Sequence, residues 1–414
     1  MPAPRYAIIV SRFPKLTETF VLQELHGLED RGLDFELYSI IHESPEQLQP
    51  EAADLDRRAN YIEWRSLEML CAQWYWLRRS PARYLRTWWL AWRTAFGSRD
   101  AMLRTPLLMC LSAAMARRMT NQGVERVHSH WATYPTTCAL LIEELAGIPF
   151  SFTGHAHDIF IDRVGLRTKV ARAGAVLTCT DHGRGILVDQ STDRARASRT
   201  VHLIHHGVRL QRFAQSPLRA RAESDPFAVL CVAALQEYKG HRYLLAAMAE
   251  LQRTGTPCRL ICIGDGELRE SLVELASRLE IEVAFLGRQP SDRVRQELAA
   301  SDCFALASIQ LDSGWMDGIP NVCVEAMAMG RPVVASSLPG IRELVIDGET
   351  GLLATSRDPA DLARQLRRIA TEPGLADRCV AGGRAKVDSE HDSARNLDEV
   401  MTILAGLPGR PEGA

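Results

Sequence analysis

The feature that most constrains the fold is a rhythm in which short β-branched or apolar runs are each followed by helix-forming sequence. In the first half these runs are AIIV (7–10), FELYSII (35–41), VERVHSH (124–130), FSFT (150–153), AVLTC (175–179) and TVHLIHH (200–206). Mostly apolar runs of this length belong to strands buried on both faces, so the pattern predicts parallel sheets covered by helices on each side. The segment 214–226, AQSPLRARAESDP, holds two prolines and no apolar period, and reads as an interdomain linker. The rhythm then restarts with FAVLCVAAL (227–235), CRLICIG (258–264), VAFLG (283–287), CFALA (303–307), PVVASS (332–337) and GLL (351–353). Helices are expected between them over 241–253, 266–280, 291–301 and 359–371. Two α/β domains in series follow, and ligands of such sheets bind beyond the carboxyl ends of the strands, which here means the cleft between the domains.

Composition excludes several alternatives. With 46% apolar and 24% charged residues over 414 positions, the chain is neither disordered nor fibrous. A net charge of −2 excludes a dedicated nucleic-acid binder. The ten cysteines contain no CxxC pair and read as reduced thiols of a cytoplasmic protein. Four apolar residues before Ser11 are too few for a signal sequence, and no run approaches ~18 apolar residues.

Residues 57–126 differ in kind, with six of the eight tryptophans, 13 arginines, no lysine and 4 acidic residues, a local charge of +9. Two readings are open: helices whose aromatics pack on the first domain, or a basic aromatic face that lies on an anionic membrane or holds a lipid-phosphate acceptor.

The most informative stretch is DSGWMDGIPNVCVEAMAMG (312–330). Gly318 and Pro320 oppose helix while 321–329 favours it, so a loop is expected to end in a helix starting near Asn321. Such an N-terminus carries unpaired N–H groups and about half a positive charge, the natural seat of a phosphate. Asp317 precedes it and Glu325 lies one turn inside. Two carboxylates so placed suit sugar and ribose hydroxyls, which need no metal, although the spacing alone fits equally an acidic loop that caps a helix.

GIPNVCVEAMAMGRPVVAS with GIRELVIDGETGLL downstream resembles the donor-site signature of the retaining glycosyltransferase family 4, whose fold is GT-B, with two Rossmann-like domains facing each other across a cleft. LQEYKGHRYLLAAM (235–248), ICIGDGELRESL (261–272) and VAFLGRQP (283–290) are similar to further segments of that family in its order. In the first half, SRFPKLTETFVLQEL (11–25), SHWATYPTT (129–137), FSFTGHAHDIF (150–160) and LIHHGVRLQRF (203–213) resemble its exopolysaccharide or colanic-acid-type subgroup.

The resemblance implies an acceptor domain at 1–213, a nucleotide-sugar domain at 227–390, and a C-terminal helix within 391–414 crossing back to the first domain. It implies transfer of a hexose-type sugar from a nucleotide-diphosphate sugar to a saccharide, such as a lipid-linked exopolysaccharide or lipopolysaccharide precursor, at the inner face of the plasma membrane, with no metal or other cofactor. Carried over by position, Asp317 holds sugar hydroxyls, Glu325 the ribose and Lys239 the diphosphate. Backbone at Gly318, Asn321 and Val322 cradles sugar and phosphate, Gly264 and Gly266 admit the nucleotide closely, and Arg288 and Gln289 flank the base. His155 polarises or hydrogen-bonds the donor sugar or acceptor, while Thr19, His130 and Asp158 fall on the acceptor side. Lysine is written only four times among 49 basic residues, which fits a specific role for Lys239.

Three positions depart from the family. Ala234 stands where an arginine usually forms a second diphosphate clamp, with Arg242 a candidate replacement; Asp317 replaces the usual Glu; and Arg209 closes a segment that usually ends in Asp. The epimerases and phosphorylases that share the fold, and an inactive donor-binding subunit, are the alternatives. His128/His130 and His155/His157 stand at i, i+2 on strands and so resemble zinc pairs, but no acidic or cysteine ligand follows at metal spacing. Asp54-Leu55-Asp56 lies in a charged helix-like segment and reads as a solvated face rather than a metal-binding DxD.

Overall fold

The computed structural model describes residues 4–14, 19–43, 52–64, 66–218, 222 and 225–409. The chain divides into two compact units, Met1–Ile204 with Leu397–Ala414, and His205–Asn396. The division falls after Ile204, ahead of the 214–226 segment expected as linker.

The first unit is a seven-stranded parallel sheet of β1 (Tyr6–Phe13), β2 (Phe35–His42), β3 (Asn60–Tyr61), β4 (Arg126–His130), β5 (Phe150–Gly154), β6 (Ala175–Thr178) and β7 (Val201–Leu203), in the order β3-β2-β1-β4-β5-β6-β7. All six expected strands are present, and β3 is the addition. On β1, Ala7 and Ile9 enter one core cluster while Tyr6, Ile8 and Val10 enter the other, because alternate side chains leave opposite faces. The insertion covers the first face with helices Leu67–Arg79, Pro81–Ala95 and Arg99–Asn121, burying Met69, Ala72, Trp76 and Met115. Ser66 and Ser98 cap two of these helices, accepting from the amides of Met69 and Ala101. The buried Trp76 indole donates to the Ala113 carbonyl at 2.9 Å. The second face is covered in part by the helix Ser393–Ala405, whose Val400 and Leu404 join Ile8 and Leu25. Its last carbonyls are taken up, Leu404 O by the Tyr6 hydroxyl at 2.9 Å and Ala405 O by Arg126 at 3.0 Å.

The second unit is a six-stranded parallel sheet of β8 (Phe227–Val232), β9 (Cys258–Ile263), β10 (Val283–Phe285), β11 (Cys303–Leu306), β12 (Val333–Ser336) and β13 (Leu352–Ala354), in the order β10-β9-β8-β11-β12-β13. Every expected strand appears, and helices occupy His241–Arg253, Arg269–Arg278, Ser291–Ala300 and Pro359–Thr371. The start of the expected linker is docked rather than loose. Buried Arg331 donates to Ser216 Oγ and Pro217 O, both at 2.8 Å, because a guanidinium withdrawn from water must place its N–H groups on acceptors.

Both sheets reverse strand order at one point, between β1 and β4 and between β8 and β11. Loops leaving the carboxyl ends of those strands diverge there and leave a crevice, which is where such sheets hold ligands. Among the described residues no helix is long and apolar enough to cross a membrane.

Candidate active site

In the second unit the switch point brings together the loop after β8, which carries Lys239, and the loop after β11, which carries Ser308 and Asp317. Lys239 Nζ donates to Asp317 Oδ1 at 2.7 Å, and Ser308 Oγ donates to Asp317 Oδ2 at 2.5 Å. Both side chains of the ion pair are largely buried. Burial alone would lower the Lys239 pKa, but Asp317 beside it outweighs that and holds the ammonium above the ordinary lysine range. The ammonium also sits 4.9 Å from the Tyr238 ring centroid, and Tyr238 meets Trp315 edge to face.

The helix Asn321–Ala328 begins four residues after Asp317, as expected. Its N-cap is Pro320, which offers no side-chain acceptor, so the opening amides at Asn321 and Val322 have no side-chain cap. Cys323, in that first turn, feels the charges of Asp317, Lys239 and Glu325, which places the helix end within the field of the pair. Glu325 is half-buried, and burial raises its carboxyl to about 7 although Arg295 pulls it down.

The glycines have identifiable reasons. A Cβ on Gly264 would stand 2.0 Å from Ala233 O, and one on Gly266 2.5 Å from Leu235 O, so the close approach these residues permit is to the loop after β8. Gly318 backbone lies 2.6 Å from where a Cβ of Gly340 would stand. The Gly264 amide donates to Gly287 O at 2.9 Å, which joins the Gly264 loop to the one bearing Arg288 and Gln289. Arg288 is exposed, and Gln289 donates to Leu286 O at 2.6 Å. Ala234 is exposed. Arg242, the candidate replacement for a missing clamp, is exposed in a groove with Glu237, His241, Ser271 and Arg278. The segment ending at Arg209 is held by the Val208 amide, which donates a hydrogen bond to His391 O at 2.9 Å, and Gly207 is needed because a Cβ there would stand 2.5 Å from Ser393 backbone.

In the first unit β4, β5 and the helix Thr19–Asp30 converge. His155 caps the short helix Ala156–Phe160, and its ring lies 5.9 Å from the His130 ring, nearly parallel, and 5.1 Å from that of Trp131. Asp158 has a different job from the expected acceptor contact. It is fully buried, and its two oxygens accept from the amides of His155, at 2.7 Å, and Ala132, so it ties the loop after β4 to the loop after β5. Burial raises its carboxyl to about 7 against those amides. Lys169, also buried, donates to the carbonyls of Ala132, Val164 and Thr133 at 2.6, 2.8 and 3.1 Å, and burial lowers it to about 8. His130 is fully buried with its ring stacked on that of His155, itself buried, and its Nε2 lies 3.5 Å from Glu24 Oε1. Thr19 opens its helix, and its side chain lies outside the described residues.

Glu24 corrects one expectation. An acidic group does meet the histidines, for one ligand atom each of Glu24, His128 and His130 lie within 4.8 Å of one another. The residues fit a metal poorly, because both His128 nitrogens are already held by hydroxyls, Ser151 at 2.8 Å and Thr153 at 3.1 Å. Burial lowers His128 to about 4 and raises Glu24 to about 7, so both favour the neutral form. Asp54 and Asp56 sit on a charged helix as read, Asp54 with Arg57 and Arg58 and Asp56 with Tyr61. The ten cysteines are free thiols.

The two parallel-sheet units, with their strand order, have the GT-B fold. Anabaena HepE, crystallised with UDP, matches over 98% of this chain and 100% of its own with a TM-score of 0.69 at 17% identity. Residues 226–372, about a third of the chain, match the family described as glycosyl transferases group 1. The amylovoran biosynthesis glycosyltransferase AmsK of Erwinia amylovora is 34% identical over 186 residues, 44% of this chain and 46% of that protein. WcaL of Escherichia coli, a glycosyltransferase named for colanic acid biosynthesis, is 26% identical over 96% of this chain and 98% of its own length.

Proposed function

We propose that this chain moves a hexose-type sugar from a nucleoside-diphosphate sugar to a saccharide acceptor, a lipid-linked exopolysaccharide or lipopolysaccharide precursor, with retention of anomeric configuration and without a metal. The observation that carries the donor reading is the Lys239–Asp317–Ser308 network beside the uncapped amides of Asn321 and Val322. Departure of a nucleoside diphosphate develops negative charge on the bridging oxygen, and fixed donors aimed at it lower the barrier. Lys239 and the helix end supply such donors, Asp317 accepts from sugar hydroxyls, and Glu325 holds the ribose. Gly318, Asn321 and Val322 present backbone to the sugar and phosphate, the loop of Gly264 and Gly266 packs closely on the loop after β8, and Arg288 and Gln289 flank the base. His155, held by Asp158 through its backbone, hydrogen-bonds donor sugar or acceptor. The names of AmsK and WcaL, given for amylovoran and colanic acid biosynthesis, support a saccharide acceptor, and work at the inner face of the plasma membrane is part of the same proposal.

The test is thermal unfolding with UDP, GDP, ADP and dTDP, then their hexose conjugates, on wild type and Glu325→Ala. A nucleotide at 100 times its Kd adds roughly 2.7 kcal/mol to the wild type and less to the variant. No stabilisation by any nucleotide overturns the donor reading. Stabilisation without turnover on any saccharide acceptor moves the inactive binding subunit ahead, a reading that exposed Ala234 favours. Inversion at the transferred sugar's anomeric carbon overturns retention.

A further inference from the structure

The insertion resolves the two readings of its tryptophans by dividing them. Trp76 is 2% exposed in the core, but Leu67, Leu70, Trp74 and Leu77 on the same helix are between 38% and 79% exposed. At about 100° per residue these four fall within one narrow arc, opposite the buried Met69, Ala72 and Trp76. The next helix repeats the design. Leu85, Trp89 and Trp92, with Phe96 at its end, are 41–82% exposed along one line, while Leu90, Ala91 and Thr94 are buried on the other side. Of the 14 large apolar side chains exposed among the described residues, 11 lie between Trp64 and Leu103, so the exposure is concentrated rather than scattered.

The charge of this stretch has one sign. From Trp64 to Arg104 the sequence has 8 arginines, no lysine and only Glu68 and Asp100 as acids. Arg78 lies 4.7 Å from the Trp74 ring centroid and Arg93 4.9 Å from that of Trp89, so guanidinium and indole project together. Of the two acids, Glu68 is paired with Arg118.

We infer that the outward stripes of the helices Leu67–Arg79 and Pro81–Ala95 form a docking surface for an anionic phospholipid leaflet. Indole and leucine side chains enter the boundary between headgroups and acyl chains while arginines meet the phosphates, the arrangement of an amphipathic helix lying in the interface. Neither helix is long and apolar enough to cross, so the contact is peripheral. A second copy of the chain fits less well, because a two-fold contact sets a patch against itself and would bring these arginines face to face. The inference stands on the surface of the first unit and needs no part of the donor-site reading.

The experiment is flotation of the full chain with vesicles of phosphatidylcholine alone and of phosphatidylcholine with phosphatidylglycerol. Binding is expected to the anionic vesicles, to fall at least ~10-fold in about 1 M salt, and to shift Trp emission to the blue. Leu85→Ser/Trp89→Ser/Trp92→Ser is expected to lose at least ~10-fold in binding, and Arg78→Gln/Arg93→Gln about fivefold per arginine. Val273→Ser/Ile346→Ser, an exposed pair in the second unit, is expected to bind as wild type. All these positions are exposed, and circular dichroism checks that the variants fold. No binding to anionic vesicles, or equal binding by the triple variant, overturns the inference. So does a vesicle-free dimer that the triple variant converts to monomer, since a second copy then covers the face. Nucleotide stabilisation of the same variants reads the donor site separately, so failure of one claim is distinguishable from failure of the other.

Discussion

Replacing Lys239 by Met removes the cation from a buried pair and leaves Asp317 held by Ser308 alone. At 2.7 Å and an effective dielectric of about 20, the gross attraction is about 6 kcal/mol. Desolvation of two charges offsets much of this, but removing one partner leaves the other charge buried and uncompensated, so the single variant should lose about 3–5 kcal/mol. Asp317→Asn should lose a similar amount. The double variant, with no charge left to strand, should lose clearly less than the sum, giving a coupling of about 2–3 kcal/mol. Turnover behaves differently, because Lys239 faces the leaving diphosphate in the proposed mechanism. Its loss should cost on the order of 10²–10³ in kcat in both the single and the double variant. Urea unfolding of the four proteins of the cycle, with turnover on one donor, measures both. Additive stability losses, or turnover restored together with stability in the double variant, would refute the reasoning.

Other outcomes follow from the same geometry. His155→Ala should keep the fold and lose at least ~10²-fold in turnover, and a near-normal rate removes it from the mechanism. Asp158→Ala leaves two buried amides without their acceptor and should cost about 2–4 kcal/mol, read as a lower unfolding midpoint. Glu24, Asp158 and Glu325 have carboxyls raised by burial to about 7, so the folded state binds these protons more tightly than the unfolded chain. Their contribution is therefore fully present below the ordinary carboxylate range and is lost as pH rises through about 7, and Glu24→Gln should flatten that slope in unfolding measured from pH 5 to 8. Turnover should be unchanged by a chelator, and restoration of lost activity by a divalent cation would overturn metal independence.

Both sheets were legible because a strand buried on two faces must be written in apolar residues, and the chain writes twelve such runs in order. The helix end at Asn321 was legible for a similarly local reason: Pro320 and Gly318 forbid helix, and the residues after them favour it. Glu24 was not legible. It sits on a helix next to β1, about a hundred residues before His128 and His130, and only the pairing of β1 with β4 brings them together. Asp158 falls on the acceptor side by the resemblance of its motif, whereas its oxygens are consumed by amides from two loops. The polar segment after 213 looked like free linker, yet Arg331, more than a hundred residues later, holds its start.

Local periodicity and turn chemistry depend on neighbours in the chain, so the sequence by itself determined the elements, their order and the loops that bear Lys239, Asp317 and Asn321. Which side of a helix meets the core depends on what the rest of the chain places there. The tertiary structure alone decided that Trp76 is buried while Trp74, Trp89 and Trp92 face outward, that Ser308 joins the Lys239–Asp317 pair, and that the buried rings of His130 and His155 stack on each other.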